Sequence, residues 1–206
     1  MARPKKTEAQ LQAAREQILE TAYAILQEEG PQSLTSRAIA KRLGVAHMSL
    51  FYSYFENQAA IISALREREL AKLRQQQQAI VQRAEHEEIA GLVREILEIP
   101  VRYAQETPNL YYLAWVMPEV GGESLEENRQ RMLGTVTQLA RLIQIGIEQG
   151  KFAVWDASLA AATVLGMVNM PFIFFQSGRI LDPAMRDQMV GEVLSAAIGY
   201  LIHGVD

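Results

Sequence analysis

The 206-residue chain predicts an all-α fold. Three observations predict it. Apolar residues return every three or four positions through most of the chain, and no segment alternates apolar and polar residues with a period of two. The periodic segments are also separated by capping residues, glycines and prolines in the order that helix ends require. With 49% apolar residues there is enough material for a hydrophobic interior. The length admits a small N-terminal module followed by one larger helical core.

Leu11, Ala14, Ile18, Ala22, Ile25 and Leu26 form an apolar stripe at helical spacing, and Gly30-Pro31 ends it. Thr35 then N-caps a short helix whose Ile39, Ala40 and Leu43 share one face. Gly44 follows, where the chain needs a residue tolerant of positive φ, and Val45 is the expected buried plug of a tight turn. A second short segment, rich in hydroxyls and aromatics, completes a helix-turn-helix over residues 35–57. Such a unit lays its second helix in the DNA major groove while its first crosses the backbone.

Asn57 caps a long helix through Ile61, Ile62, Leu65, Leu70 and Leu73 toward Ala84, with Gln75 to Gln78 expected on a solvated face. A further helix covers about Glu87 to Glu106, with Pro100 as a kink site. Thr107-Pro108 reads as an N-cap and first helical position for a segment that holds Tyr111, Tyr112 and Trp115. Ser124 to Glu127 has capping-box spacing and opens a helix to about Gln149. Asp156 and Asp182-Pro183 start two final long helices. The expected domains are 1–56 and 57–206.

The charge is divided along the chain. Through Phe55 there are seven Lys/Arg against five Glu, a balance of +2, while the remainder carries 13 basic and 19 acidic residues, a balance of −6. Phosphate contacts act within a Debye length of about 8–10 Å, so the local balance decides, and this one is compatible with DNA binding. Without cysteine there is no disulfide, thiolate metal site or cysteine nucleophile. No Gly-rich phosphate loop, nucleophile elbow or metal-spaced His/Asp/Glu set is present, and this argues against an enzyme. His86 and His203 have no ligand-spaced partners, so no metal or cofactor is expected. The basic, polar Met1 to Thr7 does not read as a signal peptide, and the longest apolar stretch, Ala160 to Phe175, is short for a membrane span. The expectation is a cytoplasmic protein with no membrane partner.

The stretch Leu34-Thr35-x-Arg37-x-Ile39-Ala40-x-x-Leu43-Gly44-Val45, then Ser49-Leu50, then Tyr54-Phe55, resembles the TetR family of transcriptional repressors. The resemblance covers about residues 8 to 65. It implies a three-helix DNA head, a helical body that binds a small-molecule effector, and a dimer held by the last two helices. Three positions depart from the family pattern. Ser49 to Phe55 has seven residues where the family usually has six, so the backbone-contacting tyrosine maps to Phe51 or to Tyr52. One residue turns a helix by about 100°, which changes the side chains that face the bases. Gln58 stands where a lysine is frequent, and Ala46 where Ser or Thr caps the recognition helix.

The candidate DNA-binding residues follow. Thr35, Ser36 and Arg37 sit where the second helix points its N-terminus at phosphate. Ala46, His47, Met48 and Ser49 open the recognition helix. Of Tyr52 and Tyr54, one is expected in the core and one on phosphate, with Tyr52 favoured for phosphate, and the Gln58 backbone amide offers a further contact. Arg3, Lys5 and Lys6 form either a disordered tail or an arm on the DNA. For the effector, Tyr103, Tyr111, Tyr112, Trp115, Met117 and Met132 read either as core or as the lining of an adaptable pocket. Asn169 either orients a ligand or satisfies a backbone group. Small and apolar residues of the last two helices, Ala161, Gly166, Phe172, Phe175, Val193, Ala197, Tyr200 and Leu201, are the expected dimer interface.

The function expected is a homodimeric, ligand-responsive repressor of a palindromic double-stranded operator. The alternatives are an all-helical enzyme or ligand-binding protein with a vestigial head, or a DNA-binding adaptor without an effector.

Overall fold

The computed structural model describes residues 7–45, 52–113 and 125–204, with the backbone alone at 125, 127–129, 131, 132 and 135. Eight α-helices and no strand are present among the described residues: α1 Glu8–Glu29, α2 Ser36–Arg42, α3 Gln58–Val81, α4 Ile89–Glu106, α5 Pro108–Tyr111, α6 Leu125–Glu148, α7 Ala157–Gln176 and α8 Pro183–His203, with a 3₁₀ turn at Pro31–Ser33. The all-α reading is correct.

The helices begin where side chains can satisfy the first free backbone N–H groups. Thr7 Oγ1 accepts from Gln10 N, and Gln10 Oε1 accepts from Thr7 N, a reciprocal box that opens α1. Thr35 caps α2 and Asn57 Oδ1 accepts from Ala60 N at the start of α3. Asp156 and Asp182 cap α7 and α8, with Pro183 at the first helical position. Helix α4 starts slightly later than its pattern predicts, because Glu88 turns its carboxylate onto the amides of Ala90 and Gly91. Pro100 lies inside α4 and is buried. Gly44 has φ +67°, the left-handed conformation the turn after α2 demands.

The chain folds as two compact units: Met1–Glu69 with Thr107–Ser124, and Leu70–Glu106 with Leu125–Asp206. The first unit buries Ile18, Leu19, Ala22, Ile25 and Leu26 of α1, Ile39 and Ala40 of α2, Phe55, and Ile61, Ile62 and Leu65 of α3. Val45 is half-buried rather than a buried plug, and Leu11, at the N-terminal end of the stripe, is exposed.

In the second unit α7 packs mainly on α6 and α8, and α4 packs on all three. By length and composition α7 is apolar enough to cross a membrane, longer than the 160–175 run that marks it in the sequence. Its Ala160, Ala161, Val164, Val168 and Phe172 are nevertheless buried against protein. After α6 the chain folds back: Lys151 N donates to Gly146 O at 2.8 Å and Ala153 N to Leu201 O at 2.9 Å. Phe152 lies directly on Gly146, where a Cβ would come within 2.2 Å of its ring, so only glycine fits. One expectation about α3 fails. Gln77 is buried, in line with Leu73, Ile80 and Ala84, while Gln75, Gln76 and Gln78 are exposed. Helical spacing places one member of a four-glutamine run on the inward face whatever its polarity.

Candidate nucleic-acid interface

The first unit sets α2 between the end of α1 and the start of α3 with specific polar ties. Arg42 donates to Glu28 at 2.5 Å, with Glu29 3.6 Å away, which holds the C-terminus of α2 to the last turn of α1. These side chains are well exposed, so the pair orients α2 more than it stabilises it, at about 0–1 kcal/mol. At the other end of α2, Gln58 Nε2 donates to Leu34 O at 2.7 Å. The Gln58 side chain thus fixes the turn entering α2, a role the charge comparison at this position did not foresee.

Thr35 is exposed, and its hydroxyl accepts from Ala38 N at 3.1 Å. A hydroxyl that accepts one bond still has its proton to donate, so capping and phosphate contact are compatible. Ser36 is nine-tenths buried and contributes mainly to packing. Arg37 and Lys41 are exposed, and no hydrogen bond or ion pair engages either among the described residues. Of the basic residues counted through Phe55, Arg15 and Arg42 are therefore committed to the fold, whereas Arg37 and Lys41 face solvent.

Arg15 is the largest surprise of the head. Its guanidinium donates to Tyr54 O at 2.5 Å and stands 4.2 Å over the Phe55 ring. Phe55 is buried, Tyr54 half-buried and Tyr52 exposed. One arginine from the middle of α1 thus fastens the segment that follows the recognition positions. No local pattern announces it, because its partners lie 39 residues or more along the chain. The recognition residues Ala46, His47, Met48 and Ser49 lie outside the described residues, as do Lys5 and Lys6.

The effector candidates are divided between the units. Tyr111 and Tyr112 belong to the first, and Tyr111 is completely buried, which pushes its phenol above the usual range. Tyr103 and Asn169 belong to the second, both half-buried. Asn169 Nδ2 donates to Leu165 O at 2.7 Å, the backbone-satisfying alternative. Trp115 and Met117 lie outside the described residues, and Met132 is described in its backbone only. Burial also sorts the dimer candidates. Ala161, Phe172, Ala197 and Leu201 are buried inside their own chain, while Gly166 is exposed and Phe175, Val193 and Tyr200 are half-buried. A side chain enclosed by its own subunit has no surface to offer a second one, so those four belong to the subunit core.

Among the described residues, the first unit thus presents α2 with Arg37 and Lys41 exposed and unengaged, and the second unit is a bundle of helices. Residues 18–65 match the model for bacterial regulatory proteins of the tetR family. No curated protein matches the sequence. Among solved structures, a protein of unknown function from Rhodococcus sp. RHA1 is 20% identical with TM-score 0.74, over 92% of this chain and 95% of that one. A TetR-family transcriptional regulator from Pectobacterium atrosepticum is 19% identical with TM-score 0.72, over 98% of this chain and 100% of that one. RolR, solved in complex with resorcinol, is 16% identical with TM-score 0.67, over 95% of this chain and 90% of that one. Residues 18–65 thus resemble the head of tetR-family regulatory proteins, and the fold is shared with these solved structures.

Proposed function

We propose that this protein is a homodimeric, cytoplasmic repressor without enzymatic activity. Its two heads read the half-sites of a palindromic operator, and a small effector releases it. The observation that carries the reading is the match over residues 18–65 to a head whose α2 presents Arg37 and Lys41 unengaged among the described residues. Arg37→Ala tests it. Operator affinity is expected to fall for all sequences alike, and the slope of log K against log salt to flatten by about one counterion per head. Unchanged affinity and slope would remove α2 from the phosphate backbone.

For the dimer, the faces that remain open are supported by three glycines. A mid-helix glycine costs roughly 0.5–1 kcal/mol relative to alanine. Gly146 has its reason in Phe152, but at Gly134 of α6 and at Gly166, Gly191 and Gly199 of α7 and α8 an added Cβ would meet nothing within 4 Å. We read the three on α7 and α8, which lie on neighbouring helices, as places of close approach by a second copy. On α7 the exposed stripe is Leu159, Ala162, Gly166 and Met170, and on α8 it is Gly191, Ser195 and Ile202 with the half-buried Gly199. Leu159 and Tyr200 line one surface hollow together with Trp155, so the start of α7 meets the end of α8. An interface of about 1,200 Å² or more would follow from pairing these faces with their copies.

We infer an effector site in the second unit from two of its glutamines. Gln77 and Gln138 each hold a buried side-chain oxygen without a hydrogen-bond partner among the described residues. An apolar molecule carrying an O–H or N–H donor would suit such acceptors better than a pure hydrocarbon, since a buried unpaired acceptor costs about 1–3 kcal/mol. Gln77→Leu is accordingly expected to raise the thermal stability of the effector-free protein by about 1 kcal/mol while weakening its response to effector. A loss of stability in that variant would mean that the Gln77 oxygen is already satisfied.

A further inference from the structure

We propose that Gln58 is a positioning residue for operator binding: its side-chain amide takes no phosphate itself but places the α2 cations that do. The inference rests on the operator reading above and names what aims Arg37 and Lys41 at the DNA.

Helix α2 has seven residues, and a helix of that length has no stable position of its own in water. Its inward face, with Ile39 and Ala40 buried, packs on α1, and its backbone makes no comparable approach to α3. Apolar packing is non-directional, so it keeps α2 on the head without fixing where the opposite face points. Arg37 and Lys41 stand on that outer face, four residues apart and both exposed. Their direction is therefore set by the polar ties at the two ends of α2.

The two ties differ in kind. At the exit, Arg42 pairs with Glu28 at 2.5 Å, and both side chains are exposed. Salt screens such a pair and leaves it little strength at physiological ionic strength. At the entry, Gln58 Nε2 donates to Leu34 O at 2.7 Å, with Gln58 half-buried and Leu34 almost completely buried. This bond joins neutral groups, so salt does not weaken it in the same way. The entry tie is the one that holds under the conditions in which a regulator meets DNA.

Geometry passes from Leu34 into α2 without a flexible joint. Thr35, the next residue, accepts from Ala38 N at 3.1 Å through its hydroxyl and from Ile39 N at 3.0 Å through its carbonyl. Arg37 lies three residues beyond the held carbonyl. The donor end is equally firm, because Gln58 is the first residue of α3 and the Asn57 side chain accepts from Ala60 N at 2.8 Å beside it. One hydrogen bond thus registers the start of α2 against the start of a 24-residue helix.

Gln58→Met, which keeps the length of the side chain and removes the donor, tests this in two arms on the full-length protein. In the first, hydrogen exchange is followed without DNA. Protection of the Ala38 and Ile39 amides is expected to fall about tenfold while α1 residues 18–26 stay as in the wild type. Unchanged protection at Ala38 and Ile39 overturns the proposal. In the second arm, a duplex from the region flanking the protein's own coding sequence is titrated at several salt concentrations. Affinity is expected to fall about tenfold, and the salt slope to flatten by about one counterion per head, although the substitution removes no charge. In an Arg37→Ala background the same substitution should cost about threefold or less, because less remains to be placed. A loss of affinity with the salt slope unchanged would mean that the Gln58 amide contacts DNA directly, and an equal loss in both backgrounds would mean a general structural role. Either result overturns the proposal. A wild type that binds no duplex would instead count against the operator reading, and the exchange arm would still decide whether Gln58 holds α2.

Discussion

Gly199→Arg, and separately Gly166→Arg, should yield a folded monomer that has lost tight operator binding. Neither position is filled by the chain's own atoms, since an added Cβ meets nothing within 4 Å at either one. The helices themselves should tolerate the change, and circular dichroism and the melting temperature should stay close to wild type. Across a close helix–helix contact, however, an arginine forces the backbones apart and brings two like charges together in the symmetric dimer. A monomer presents one head at a time. It forfeits the effective concentration that linked binding supplies, so operator affinity should drop by about 10²- to 10⁴-fold. Ala197→Arg makes the contrast. Ala197 has no exposed surface within its subunit, so that variant should fail to fold rather than dissociate cleanly. A Gly199→Arg protein that sediments as a dimer would move the interface away from these faces.

The second large effect is expected at Arg15. Arg15→Ala removes a charge-assisted hydrogen bond to the Tyr54 carbonyl and a cation–π contact with Phe55. In a partly buried setting these are worth about 1.5–3 and about 0.5–1 kcal/mol. For a chain of this size the sum corresponds to a drop in melting temperature of roughly 4–16 °C. Operator affinity should fall as well, although Arg15 need touch no DNA, because the segment it fastens directly follows the recognition positions. Arg15→Lys should recover only part of the loss, since an ammonium lacks the planar face that stacks on Phe55. Calorimetry and a DNA titration on the same samples check both effects. A variant that melts like the wild type would show that the Tyr54–Phe55 segment is held by other means.

The fold was legible because its signals are local. Thr35, Asn57, Asp156 and Asp182 each cap the helix that their position announces, and Gly44 takes the positive φ that its place after α2 requires. Such features depend on neighbours within four residues, and a single sequence displays them directly. What escaped depends on distant partners. The ties of Arg15 to Tyr54, Arg66 to Leu113 and Asn109 to Leu26 span 39, 47 and 83 residues. Nothing near Asn109 distinguishes it from an ordinary loop asparagine. Burial misled for a related reason. Small residues on α7 and α8 announce close packing, but not against which neighbour, so Ala161 and Ala197, which serve the subunit core, looked the same as Gly166 and Gly199, which do not. The glutamine run failed differently, because composition was read in place of register and Gln77 lies on the inward face.

Binding of the purified protein to DNA flanking its own coding sequence, measured with stoichiometry at about 50 and about 200 mM salt, tests the central claim most directly. A dimeric TetR-type repressor should form a saturable complex with an even number of chains on one short, dyad-symmetric footprint. Its affinity should exceed that for unrelated DNA by about 10³-fold or more and weaken by orders of magnitude at the higher salt. Equal affinity for the flanking and unrelated duplexes at both salt concentrations, or one chain bound per footprint, would contradict it.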